Sequence, residues 1–234
     1  MRAILQLNQN ILGKYGWYRS FRQGRPINAS GEPIPWFTYP AIDYLMSFDL
    51  SQRSVFEWGA GYSTLFWCKR AKRVVSIETD TAWHLEISKL VAPSCTIHLL
   101  PPDISVYCGF VDQYDCFDII VVDGPGETRF GCCRKAVNHI SADGLIILDN
   151  SDSWPQCAAF LRTCNLIQVD FTGFAPLSVN AHTTSIFLTR KFSFSASDGL
   201  QPRRSPAQPA ESWKDVFDPG EEMTSWERSR SLFE

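Results

Sequence analysis

The sequence predicts a doubly wound α/β domain, with a mostly parallel sheet and helices on both faces. Three observations carry this. The stretch from Ser54 to Trp67, SVFEWGAGYSTLFW, reads as a short strand, a glycine turn and the first turn of a helix. Val55 and Phe56 suit a strand. Gly59 and Gly61 let the backbone bend and let a ligand approach it closely. Ser63 or Thr64 can cap the helix that follows. The second observation is the run from Phe117 to Asp123, FDIIVVD, broken by Gly124-Pro125-Gly126. Its unbroken apolar core fits a parallel strand covered on both faces. The third is the order of elements, βαβαβ and then βαβαββ, which favours a doubly wound sheet. Right-handed crossovers leave few other topologies.

The chain has 234 residues, enough for one α/β domain with extensions. Its 44% hydrophobic content supports a sizeable core. A net charge of −3 gives no reason to expect a nucleic-acid backbone as partner. No apolar run reaches the length of a membrane span. The opening residues, MRAILQ, turn polar too soon for a secretory signal, so a cytoplasmic location is expected. There are eight cysteines, with no CxxC pair of the zinc or thioredoxin kind. Cys132 and Cys133 are neighbours on one predicted helix and point in different directions. Cys68, Cys157 and Cys164 fall in helical apolar patterns and are expected to pack as small hydrophobes.

Three segments follow from composition: an aromatic arm over 1–38, the α/β domain over 39–190, and a tail or strap over 191–234. The arm carries Tyr15, Trp17, Tyr18, Phe21, Trp36 and Phe37 between Gly and Pro breakers. A helix is expected from Tyr39 to Phe48, with Pro40 at its start. After the glycine turn, a helix runs to about Arg70 and a strand from Arg73 to Glu78. Thr81 to Val91 is a helix with Trp83, Leu85, Ile87 and Leu90 as its buried stripe. Cys95 to Leu100 is a strand, and a loop continues to about Asp115. Beyond the FDIIVVD strand, Thr128 to Ile140 is a helix with Phe130, Ala136, Val137 and Ile140 inward. Ser141 to Gly144 turn into the buried strand Leu145–Leu148. A helix from Ser153 to about Thr163 follows. Leu166–Phe171 and Thr184–Thr189 form a hairpin-like pair that includes one antiparallel strand. The stretch from about Ser195 is expected to add little to the core. The segment from Lys191 is expected to be either a flexible tail or a strap anchored by Phe192, Phe194, Trp213, Phe217 and Trp226.

The glycine turn and Glu78 together suit a nucleotide-like ligand. Glu78 ends the second strand about 20 residues beyond the turn, where a carboxylate reaches ribose hydroxyls. Two cofactors compete. An NAD fingerprint asks for a third glycine, and that position holds Thr64. Glu57, two residues before Gly59, would repel a pyrophosphate. It would favour an ammonium group, as on the methionine end of S-adenosylmethionine.

Acid, any residue, Gly59, any residue, Gly61, any residue, small residue resembles motif I of class I S-adenosylmethionine-dependent methyltransferases. The resemblance covers roughly Tyr39 to Arg190. It implies a seven-stranded sheet of order 3-2-1-4-5-7-6 with the last strand antiparallel. It implies Glu57, Gly59, Gly61, Ser63, Thr64 and Glu78 as the cofactor set, with Asp103 near the adenine amino group. Asp103 also suits a turn former. The segment PWFTYPAIDYL from Pro35 to Leu45 is similar to the stretch before motif I in a bacterial subgroup of the family. The ligand rule for such sheets puts the site where strand order reverses, between the strands ending at Glu57 and Asp123. Asp123 is the candidate catalytic residue there. Asp123, Asp149 and Asn150 resemble the oxygen-donor set with which catechol-type O-methyltransferases hold Mg²⁺. No lysine stands at Gly124–Glu127, where that family keeps its base.

These residues predict a methyltransferase acting on a small molecule, at oxygen. An NAD(P)-dependent oxidoreductase and a non-catalytic cofactor- or partner-binding module are the alternatives. Trp17, Trp36 and Tyr39 of the arm are expected either to cover the acceptor or to cover the sheet. His98, His139 and His182 are expected to be structural or surface residues.

Overall fold

The computed structural model describes residues 5–6, 8–199 and 201–208. Its seven strands are β1 Ser54–Trp58, β2 Arg73–Glu78, β3 Cys95–Leu99, β4 Phe117–Val122, β5 Ile140–Leu148, β6 Ile167–Gly173 and β7 His182–Leu188. They form one sheet of order β3-β2-β1-β4-β5-β7-β6. β7 is antiparallel to both neighbours, and the pairs from β3 through to β5 are parallel. The helices are α1 Trp17–Gln23, α2 Tyr39–Leu45, α3 Tyr62–Cys68, α4 Thr81–Ser88, α5 Ile104–Gly109, α6 Arg129–His139 and α7 Pro155–Thr163.

Both faces of the central strands are buried, which is why their sequences are mostly apolar, with Glu57 of β1 and Ser76 of β2 as buried exceptions. Val55, Val74, Ile119, Val121, Leu145 and Ile147 face a core that includes Ile42 and Leu45 of α2 and Phe66 and Trp67 of α3. Their alternates Phe56, Trp58, Val75, Ile120, Val122 and Ile146 pack with Tyr107 of α5, Ala136 of α6 and Leu161 of α7. Each fully buried Val, Ile or Phe contributes about 1.5–3 kcal/mol.

Several expectations need correction. The stretch after Asp103 is α5, not a loop. The Asp103 carboxylate caps it, accepting from the backbone N–H groups of Ser105 and Val106 at 2.9 Å each. α4 is only two turns long and buries Ile87, with Trp83, four residues before it, half-buried on the same face. Leu85 and Leu90 are exposed, and so is Phe130 on α6. β5 begins at Ile140 directly after α6, so Ser141–Gly144 lie within the strand. The segment from Lys191 lies against the body as far as it is described. Phe194 is buried, Phe192 packs on Phe48, and Ala196 bridges to Phe48. Trp213, Phe217 and Trp226 lie outside the described residues.

Cys68 is not a packed hydrophobe but is joined to Cys95 by a disulfide. β2 brings the end of α3 beside the start of β3, a proximity that sequence spacing does not reveal. Among the described residues no helix is long and apolar enough to cross a membrane.

The arm lies over the C-terminal edge of the sheet. α1 runs between Gly16 and Gly24, and the Trp17 indole donates to the Ser178 backbone oxygen at 2.8 Å. Tyr39 packs against Tyr15 and Phe174.

Candidate active site

The site opens where the sheet reverses direction. Gly59 turns the chain out of β1 with φ +96°, and a Cβ there would come within 2.5 Å of the Asp123 backbone oxygen. Only glycine permits that approach of the first turn to the end of β4. Gly61 needs no such freedom, since its backbone is extended. A Cβ on it would project toward the Trp83 indole, 3.8 Å away, on the wall of a cavity of about 330 Å³. Gly59, Gly61, Ser63, Glu78, Trp83 and Asp123 line this cavity. The Trp83 indole N–H donates to the Ala60 backbone oxygen at 2.7 Å and fixes the far side of the turn.

Glu57 and Thr64 sit beneath the turn, not in the cavity. Glu57 is fully buried, and its Oε2 accepts from the hydroxyls of Thr64 at 2.5 Å and Ser76 at 2.8 Å. Thr64 Oγ1 in turn accepts from the Gly61 N–H at 2.9 Å. The carboxylate therefore holds the turn's shape from below. Burial pushes its pKa up to about 7, opposed by the hydroxyls of Ser63, Thr64 and Ser76. Glu57 Oε1 is buried without a partner. Glu78 is anchored by one oxygen: its Oε1 accepts from the Thr79 and Asp80 N–H groups at 2.7 and 2.9 Å. Asp103 lines neither this cavity nor the next.

A second cavity, of about 320 Å³, adjoins the first. Trp36, Asp123 and Leu177 line both. Asp149, Asn150, Ser178 and His182 complete the second. The structure thus brings Asp123, Asp149 and Asn150 together, and it brings Trp36 of the arm to them. Tyr39 is buried and Trp17 docks on the loop, so those two serve packing. Leu177 and Asn150 have φ of 58° and 50°, conformations that cost energy outside glycine.

Arg129 is the residue that sequence reasoning missed. Its Nη2 lies 2.9 Å from Asp123 Oδ1, its Nε donates to the Gly124 oxygen, and its Nη1 to the Asp149 backbone oxygen. The guanidinium ties the ends of β4 and β5 together behind the site. A lone arginine in the apolar first turn of α6 was the available signal. His182 was seen but assigned to structure. It stands at the start of β7, with Nε2 3.9 Å from Asp149 Oδ1. Burial holds its imidazole below the usual value. Burial, and then the negative charge of Asp123, hold the Asp149 carboxyl well above the carboxylate range. Asp123 is raised by burial too, with Arg129 opposing. His98 stacks on Phe110, and His139 pairs with Asp112, away from the site.

The residues fit S-adenosylmethionine. Gly61 leaves space where a side chain would stand, Glu78 keeps one oxygen free of the α4 turn, and the acidic walls favour a cationic ligand over a pyrophosphate. Mg²⁺ finds no support in the donor set, because Asp123 is already paired with Arg129. Among the described residues no three His, Cys, Asp or Glu side chains are grouped to hold a metal. The Arg129 guanidinium against Asp123 would also repel a divalent cation.

The fold is that of the class I S-adenosylmethionine-dependent methyltransferases. Two solved structures share it. One is the O-methyltransferase TomG from Streptomyces achromogenes, involved in tomaymycin synthesis and solved with S-adenosylmethionine. It superposes with a TM-score of 0.54 at 14% identity, over 75% of this chain and 87% of that one. The other is a putative O-methyltransferase from Klebsiella pneumoniae, with a TM-score of 0.52 at 16% identity, over 74% of this chain and 87% of that one. No protein-family model matches the chain, and no curated protein matches it by sequence.

Proposed function

We propose that the chain is an S-adenosylmethionine-dependent methyltransferase acting on a small-molecule acceptor, at oxygen. The observation that carries this is the shared wall. Trp36, Asp123 and Leu177 border both the cavity of the glycine turn and the second cavity. A cofactor in the first and an acceptor in the second would meet at Asp123.

In this reading the Gly59–Gly61 backbone cradles the cofactor and Glu78 accepts from its ribose hydroxyls. Glu57 holds the turn through Thr64 and Ser76. When bound, the cofactor supplies a methyl group activated by its sulfonium. Asp123 orients the acceptor hydroxyl along the transfer line and takes up its proton. Arg129 keeps the Asp123 carboxylate in place. Trp36 and Leu177 keep water from the shared wall. No step requires a metal.

The test is transfer of labelled methyl from S-adenosylmethionine to a panel of small hydroxylated acceptors, with and without excess chelator. Label in an acceptor oxygen, undiminished by chelator, is the expected outcome. Transfer to nitrogen or carbon would correct the acceptor atom. Cofactor binding without transfer to any acceptor would favour a non-catalytic module.

A further inference from the structure

We infer that the second cavity takes an acceptor carrying a cationic nitrogen, with the nitrogen held by the Asp149 carboxylate and an adjoining face of the molecule against the Trp36 ring. This rests on the methyltransferase reading and adds the chemical class of the acceptor.

The cavity lining includes two carboxyl side chains and no lysine or arginine. Arg129 stands behind it with its nitrogens engaged. Nε donates to the Gly124 oxygen, Nη1 to the Val122 and Asp149 backbone oxygens, and Nη2 to Asp123. None of those hydrogen bonds goes to the Asp149 side chain, and the attraction of the Arg129 charge is outweighed there by burial and by the negative charge of Asp123. Asp149 is 3% exposed. Its Oδ1 accepts one neutral hydroxyl, from Thr184, at 2.5 Å. His182 Nε2, at 3.9 Å, is beyond hydrogen-bond reach and is itself buried without a partner. A buried carboxyl group without a cationic partner is costly to ionise, and a ligand cation supplies the missing charge.

That cation is not the cofactor's. Asp149 lines the second cavity and not the one around the glycine turn. Asp123, on the shared wall, is already paired with Arg129 and is left to face the reacting hydroxyl. Asp149 lies beyond it, at the acceptor's other polar end. Trp36 is 49% exposed although it borders both cavities. A tryptophan face attracts cations, most strongly where water is excluded. The volume of about 320 Å³ suits a molecule of about one ring. The class that satisfies all of these is a small hydroxylated amine, and anionic acceptors are disfavoured.

The test uses the full chain and three probes that share a phenol ring and differ in charge: tyramine, neutral para-ethylphenol and anionic para-hydroxyphenylpropionate. S-adenosylhomocysteine is titrated first by calorimetry. Its failure to bind overturns the methyltransferase reading, and the probe comparison on the chain alone then decides this inference separately. Tyramine is expected to bind about 10-fold or more tightly than para-ethylphenol, with the anion weakest. Asp149→Asn is expected to bring tyramine and para-ethylphenol to within about 2-fold of each other. Trp36→Leu, on a half-exposed ring, is expected to weaken tyramine more than para-ethylphenol, and it decides the matter if the Asp149 variant does not fold. Equal binding of the cationic and neutral probes, a preference for the anion, or binding of none of the three overturns the inference.

Discussion

Arg129 Nη2 lies 2.9 Å from Asp123 Oδ1, and the same guanidinium donates to the backbone oxygens of Gly124 and Asp149. One buried cation therefore fixes the carboxylate on the shared wall and the ends of the two strands that carry the second cavity. Removing it leaves Asp123 and several carbonyl oxygens unpaired. Arg129→Met should cost about 3–5 kcal/mol of stability. Arg129→Lys should recover only part, because an ammonium has no planar fork. Urea denaturation checks both, and an unchanged midpoint for Arg129→Met would contradict this role.

Glu78 accepts two backbone N–H groups through Oε1 and borders the first cavity. A charged hydrogen bond is worth about 1.5–3 kcal/mol. Glu78→Ala should therefore weaken S-adenosylmethionine binding roughly 10- to 100-fold. Calorimetry on the folded variant measures this, and an unchanged dissociation constant would remove Glu78 from the cofactor site.

The central strands and the glycine turn were legible because they rest on local signals, whereas the strand order was implied by the family resemblance. A fully buried parallel strand must be apolar on both faces, and β4 and β5 are. Gly59 must be glycine because of the Asp123 oxygen beside it. Much of the second cavity was not legible. His182 and Leu177 come from β7 and the loop before it, and no spacing ties them to Asp149, whereas Trp36 was one of three arm aromatics named for either the acceptor or the sheet. Glu57 was recognised as an acid of the motif, but sequence could not tell a residue under the turn from one facing the ligand. The stripe on α4 failed because Leu85, two residues from both Trp83 and Ile87, falls on the opposite face of a helix, and because the helix ends at Ser88, before Leu90.

The Cys68–Cys95 disulfide spans 27 residues of sequence, and six further cysteines are free. Thiol titration of the denatured, unreduced chain should count six thiols, rising to eight on reduction. By chain entropy a loop of this size is worth about 3.5 kcal/mol. Reduction, or Cys68→Ser with Cys95→Ser, should lower the unfolding free energy by up to about that amount. Eight thiols without reductant would show the bond absent.

Burial raises the Glu57 pKa from 4.5 to about 7. Between those values the unfolded chain has released a proton that the folded chain retains. Stability should therefore fall as pH rises through that window and level off above it. The fall attributable to Glu57 is on the order of 3 kcal/mol. Glu57→Gln has no proton to lose, so its profile should be flatter there. Thermal melts of both chains across the window check this. Parallel profiles would mean that Glu57 titrates near its unfolded value.

The central claim is that the cavity of the glycine turn holds S-adenosylmethionine. Calorimetric titration of the full chain with S-adenosylmethionine, S-adenosylhomocysteine and NAD tests it most directly. Saturable one-to-one binding of the first two, weakened by Glu78→Ala, with no binding of NAD, is the predicted result. Binding of NAD in their place, or of none of the three, would contradict it.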